Sequence, residues 1–437
     1  MTLFKGKRES VTVYLFDLVL LVWFLEIVFP PLNTLPIKRA SVCLACAFAS
    51  IFLYLALRIK RTGELPVKAM LILFVWLLMI TLPYLARNGV IGNRYMALSL
   101  VFFGPIIFEF YRENGLLGHL KTILYLVGAF ALVTGLITFF NLLTDSFISR
   151  SIKSGGDYTE DIERSGVGGY QFIYFVASVC LPLLYVFLTE KKKKLKKYAF
   201  LLVYAFSLLL IVKSNYMTAF VTALFCSLLL VFLHVAQRRG TKGRFVMLLV
   251  LAVFFVIVLN MDKLLMQLEG FFPKRIAEVL YSGEEESLLQ SIFTEFKVDR
   301  WPTIAESLRS FADHRFLGLC FSGRMTYNRE GFLVGFGQHS FIADTLALYG
   351  FLFGFVCIWI VFRAVRLYPR DRVNALSWAM ILCVFLLYFF NNATESIALS
   401  VGIVYPLVRE LKRESLPEQQ PEQEGMPLPA YPEGEEA

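Results

Sequence analysis

His339 stands in the stretch GFGQHSFIADTLALYGFLFGF, after a glycine-rich turn and at the start of an apolar run. An imidazole titrates near neutral pH. At the boundary between water and bilayer it can accept a proton from an incoming hydroxyl, which is the work of a general base. The same position also suits a polar cap on the following helix, a duty that Ser340 and Gln338 are equally placed to perform. Two arginines add complementary chemistry. Arg164 follows the acids of GGDYTEDIERSGVGGYQF just before an apolar run, and Arg300 precedes WPTIAESLRSFADHRFLG. A guanidinium grips phosphate oxygens with paired donors and keeps its charge at any relevant pH, although both arginines also suit interfacial anchors.

Lys213, Asp344 and Glu395 are secondary candidates. A charge near a bilayer centre costs roughly 2.5 to 3.5 kcal/mol, so Asp17, Glu26, Glu109, Asp344 and Glu395 each call for a partner or a polar cavity. Asp344, five residues after His339, is the better placed to line a cavity with it, although that spacing puts it off the histidine's helical face. His119 and His234 fall near the ends of apolar runs and read as interfacial residues, and His314 sits between Asp313 and Arg315 on a polar face. Asp157, Glu160, Asp161 and Glu163 read as a solvated loop rather than a metal site, and no DxD triplet occurs in the chain. The cysteines lie mostly inside apolar runs, including the CxxC of Cys43 and Cys46, and imply neither disulfides nor a metal.

The elements that must position these residues are membrane helices. Of the 437 residues 57% are hydrophobic, 16% aromatic and only 18% charged, a composition that excludes a soluble globular domain of this length. Apolar runs of spanning length fall at 11–30, 40–57, 67–86, 95–111, 120–143, 169–189, 198–212, 216–236, 245–260, 340–362, 374–390 and 394–408. The first of them carries Asp17 and Glu26, lacks a small-residue cleavage site and reads as a retained span. About twelve spans put both termini on one side.

The net charge of +9 follows from orientation rather than from nucleic-acid binding. Lys and Arg crowd the loops on the N-terminal side, in MTLFKGKRES, RIKR, KKKKLKK, QRRGTKGR and RAVRLYPRDR. The short loops opposite hold few: Lys38, Arg39, Arg87, Arg94, Arg150, Lys153, Arg164 and Lys213. By the positive-inside rule both termini are cytoplasmic. Two hydrophilic loops then lie outside, 144–168 and the large 261–338, within a membrane domain of residues 1–413. In the second loop Ile304, Leu308, Phe311, Phe316 and Leu317 recur at helical spacing between Pro302 and Gly318, the pattern of an amphipathic helix at the membrane surface. The tail, 414–437, is rich in Pro, Glu and Gln and reads as disordered.

Three stretches resemble the O-antigen polymerase and O-antigen ligase family of bacterial envelope glycosyltransferases. QHSFIADTLALYGFLFGF is similar to the family's histidine followed by a small polar residue and, eleven positions on, a glycine, here Gly350. DRWPTIAESLRSFADHRFLGLCFSG is similar to its arginine, tryptophan, amphipathic helix and closing glycine, and ERSGVGGYQFIYFVA to its arginine-glycine loop entering a membrane helix. Two departures stand out. Gly354 falls one residue later than the usual second glycine, which weakens a ligase assignment, and KSNYMTAF replaces a serine-arginine pair, leaving Lys213 as a substitute cation.

The resemblance implies an all-α, GT-C-like architecture in the inner membrane of a bacterium. Its substrate would be an oligosaccharide linked through pyrophosphate to a polyprenyl lipid. His339 would deprotonate the acceptor sugar while Arg164 and Arg300 clamp the pyrophosphate, with no metal or other cofactor required. Besides the bilayer and this substrate, a chain-length regulator protein is a further partner to look for. Polymerisation of repeat units is the first expectation. Ligation to lipid A core or another acceptor is the alternative within the family, and a flippase of lipid-linked oligosaccharide the alternative outside it.

Overall fold

The computed structural model describes residues 11–34, 39–87, 99–152, 159–190, 194–237, 301–322, 326–327, 333–334, 337, 339–366, 375–391 and 395–414. The apolar run 245–260, Arg300, Gln338 and the tail beyond Glu414 lie outside them.

The described residues are all-α apart from two two-residue strands paired antiparallel, β1 (Thr326–Tyr327) and β2 (Leu333–Val334). The N-terminal half contributes α1 (Val11–Val28), α2 (Arg39–Thr62), α3 (Val67–Arg87), α4 (Ser99–Glu113), α5 (Leu117–Thr144), the short α6 (Ile148–Ser151) and α7 (Thr159–Arg164), and α8 (Tyr170–Thr189). α9 (Lys194–Lys213) and α10 (Met217–Ala236) follow, parted by a tight turn in which Asn215 takes φ 61°. After α11 (Trp301–Asp313) and α12 (Leu319–Ser322), a broken helix runs as α13 (Phe341–Tyr349), a widened turn at Gly350–Gly354, and α14 (Phe355–Arg366). α15 (Ala375–Phe390) precedes a second broken helix, α16 (Glu395–Leu399), a wide turn at Ser400–Val404, and α17 (Tyr405–Glu414).

Six of these segments are long and apolar enough to cross a membrane: Val11–Val28, Leu117–Thr144, Tyr170–Thr189, Lys194–Lys213, Thr218–Ala236 and Phe341–Ile360. The protein is therefore a multi-pass membrane protein. α8 is the hub of the bundle, packed against α1, α9, α10, α15, α16 and α17. Where α4 crosses the second broken helix, a methyl group on Gly104 would stand only 3.1 Å from the Cα of Gly402, the close backbone approach that small residues give membrane helices.

Several charges within or flanking the apolar segments are paired. Asp17 on α1 accepts a hydrogen bond from the Tyr111 hydroxyl, and its other oxygen lies 2.7 Å from Nδ1 of His119. Arg58 meets Glu113 at 3.0 Å and Lys412 meets Glu190 at 3.3 Å.

The amphipathic helix expected from the sequence is formed, as α11, and is docked along α13. Its buried stripe is Ile304 and Ser307, while Trp301, Leu308, Phe316 and Leu317 stay exposed. After α11 the chain crosses the broken helix at its interruption. The amides of Phe351 and Leu352 donate to the carbonyls of Arg315 (2.6 Å) and Phe316 (3.2 Å). Two glycines make this crossing possible. Gly318 (φ 71°) and Gly350 (φ 65°) both adopt the left-handed conformation, and a Cβ on either would fall within 2.6 Å of the other's amide nitrogen. The closing glycine of one sequence motif and the glycine eleven positions after His339 are thus one contact.

Candidate functional site

Ser340, not His339, takes the capping role at the start of α13. Its backbone is extended, and its hydroxyl accepts the amide of Ala343 at 3.2 Å, so Ser340 is the N-cap of α13. His339, one residue earlier, is exposed at the mouth of the helix and carries no capping duty. The cap is closed reciprocally. Asp344 in the first turn reaches back to the Ser340 amide with Oδ2 (3.2 Å), and its own amide donates to the Ser340 carbonyl (2.8 Å).

Asp344 also reaches beyond its own helix. Its side chain is buried, and it receives the Ser307 hydroxyl on Oδ1 at 2.5 Å. Ser307 in turn accepts the amide of Gly337 at 2.8 Å. Gly337 packs so tightly on α11 that a Cβ there would overlap the carbonyl of Thr303. A carboxylate hydrogen-bonded in this way tolerates burial, and here it ties α11 to the segment that carries His339. Asp344 is a positioning residue.

The other wall of the mouth is built by α15 and α8. The Phe341 amide donates to the carbonyl of Asn391 (2.8 Å), and the side-chain oxygen of Asn391 accepts the Tyr174 hydroxyl (2.8 Å). Tyr174 packs on Tyr170 and Tyr216, with ring centroids 4.5 and 6.0 Å apart. The Tyr216 hydroxyl donates to the Ser149 carbonyl (3.0 Å), and the guanidinium of Arg150 lies 6.0 Å over the Tyr216 ring. Ser149 also donates to the Gly168 carbonyl at 2.6 Å. A continuous set of contacts therefore runs from the arginine-glycine loop through a tyrosine cluster to the backbone beside His339.

The remaining candidates are placed as follows. Arg164, the last residue of α7, points its side chain largely into solvent and pairs with Glu160 one turn back at 3.0 Å. α7 itself rests on the turn Pro30–Thr34. Lys213 ends α9, half-buried, two residues before Asn215, whose amide group donates to the Ser146 carbonyl at 3.2 Å. Glu395 is buried at the start of α16, where its carboxylate and that of Glu26 both lie within electrostatic reach of Cys46. Arg300 is outside the described residues. Among those described, no three His, Cys, Asp or Glu side chains converge as metal ligands.

Arg150 is the residue that sequence reasoning missed, because in ISRSIKSGG it is one cation among loop charges with no periodicity to mark it. Only the fold sets it against Tyr216. No family model matches this chain, and no curated protein sequence matches it either.

Proposed function

We propose that this protein is a glycosyltransferase of a bacterial inner membrane. It would join oligosaccharide repeats carried on polyprenyl pyrophosphate into an envelope polysaccharide. In this reading about twelve helices span the bilayer, both termini are cytoplasmic, and the His339 mouth opens on the outer face.

The observation that carries the reading is the division of labour between neighbours. Ser340 caps α13, which leaves the His339 imidazole exposed at the mouth of a helix held by hydrogen bonds on two sides. A helix start held in this way fixes the backbone beside His339, which suits the positional demand of general-base catalysis. The imidazole takes the proton of an acceptor hydroxyl, and that oxygen bonds to the anomeric carbon of the donor sugar. The bond from that carbon to the pyrophosphate breaks, and polyprenyl pyrophosphate departs with the bonding electrons. Arg150, with Arg300 from the large outer loop, supplies positive charge for the leaving group, while Arg164, paired with Glu160, adds only to the surrounding field. The apolar spans accommodate the lipid.

Cells lacking the native enzyme test this when complemented with His339→Ala expressed at the normal level. Single lipid-linked repeats accumulate and long polysaccharide is lost. Polymer stalled on its polyprenyl carrier would point to ligation instead, and repeats trapped on the cytoplasmic side to a flippase.

A further inference from the structure

A cavity of about 280 Å³ runs between α5, α8, α9 and α17. Its wall includes α5 from Lys121 to Gly135, α8 from Phe172 to Val186 and α9 from Lys196 to Leu210. At 1.5 Å per residue, each stretch is about 21 Å long, more than one leaflet of a hydrocarbon core about 30 Å thick. Because α5, α8 and α9 alternate in direction, Lys121, Lys196 and, from α17, Lys412 all lie at the Val186 end of the groove. The Phe172 end is apolar.

We propose that this groove is a lipid site, holding one acyl chain of an anionic phospholipid whose phosphate sits at the lysine end. Three helices each deliver one ammonium to the same mouth, and among the groove-lining residues these three lysines are the charged ones; Glu190 meets Lys412 at 3.3 Å beside it. That leaves an excess of positive charge at one end of a hydrocarbon-lined slot, the pattern of an amphiphile with an anionic head. Lys121 and Lys196 each lie over a ring one turn along their own helix, Tyr125 at 5.7 Å and Phe200 at 5.8 Å, which holds their stems along the wall and their heads at its rim. The volume suits one chain of an ordinary phospholipid better than a long polyprenyl chain. Gly128 leaves the wall open, since nothing lies within 4 Å of where its Cβ would be. The site requires only that the chain cross a membrane and does not depend on the glycosyl-transfer reading.

The test is native mass spectrometry of the full chain in detergent, titrated with phosphatidylglycerol or phosphatidylcholine of matched acyl chains. Phosphatidylglycerol binds about tenfold more tightly. The preference disappears in Lys121→Gln/Lys196→Gln, and binding of both lipids weakens in Gly128→Leu, whose side chain fills the slot. Equal affinity for the two lipids, or unchanged binding in the lysine variant, overturns the proposal. So does displacement of phosphatidylglycerol by an equimolar polyprenyl phosphate. Should Gly128→Leu fail to fold, the lysine variant decides alone.

Discussion

Ser307 and Asp344, 37 residues apart in sequence, share a 2.5 Å hydrogen bond inside the protein, and through it α11 is fastened to the helix that follows His339. A buried polar pair of this kind stabilises only while both partners are present. Ser307→Ala removes the donor to Asp344 and the acceptor of the Gly337 amide, and is expected to destabilise the protein by about 1 to 3 kcal/mol in reversible unfolding in detergent. Asp344→Ala costs more, because it also strips the Ser340 amide of its partner. In the double variant the losses fall short of their sum, since the two residues serve one network.

Gly318 and Gly350 make a second, sterically stricter joint. Each is in the left-handed region, and their backbones touch where 314–318 crosses the broken helix. Ala at either position meets backbone rather than a side chain that can swing away. Gly318→Ala or Gly350→Ala is expected to release α11, seen as cleavage by protease within 301–318 at concentrations that leave the wild type intact, and as lost polymer in cells.

The sequence announces some of this arrangement and conceals the rest, for physical reasons. Apolar runs mark segments such as α5, α8 and α10 because the bilayer imposes length and composition locally. Ser340 was a visible cap candidate because capping is decided within three residues. The amphipathic pattern of α11 located a helix but not its partner, because a serine in the buried stripe bonds an aspartate 37 residues away. Nothing local pairs Asp344 with Ser307 or Asp17 with His119, or tells Arg150 from any loop cation. The interruptions at Gly350–Gly354 and Ser400–Val404 fall inside runs that read as uninterrupted spans, because hydropathy is blind to backbone hydrogen bonding.

Arg150 and Arg164 are expected to differ in consequence. Arg150 is half-buried over Tyr216, within the contacts that lead to Asn391 and Phe341. Arg164 is exposed and paired within its own helix, an arrangement worth little in water. Arg150→Ala should raise KM for a lipid-pyrophosphate donor about tenfold or more with a smaller change in kcat, and Arg150→Lys should recover part of the loss. Arg164→Ala should change either parameter by only about twofold. Steady-state kinetics on purified protein separates the two.

Cys320 on α12, in the loop ahead of α13, offers a chemical check on how tightly this region is closed. Burial pushes its thiol up to about 12, with a backbone hydrogen bond partly opposing the rise. The thiolate is the reactive form, so a water-soluble maleimide at pH 7.5 should label Cys320 roughly a thousandfold more slowly than a free thiol. The shift is upward, so its contribution to stability is whole below the ordinary thiol value of 9.0 and is lost as pH rises toward the folded value. Gly350→Ala, which loosens the same contact region, should speed the labelling.

The most direct measurement is polymer formation by purified His339→Ala supplied with a polyprenyl-pyrophosphate oligosaccharide, with unfolding temperature and donor binding recorded on the same preparation. Because Ser340, not His339, caps α13, the variant should fold and bind like the wild type yet extend no chain beyond the single repeat. Long polymer from a folded His339→Ala protein would contradict the account.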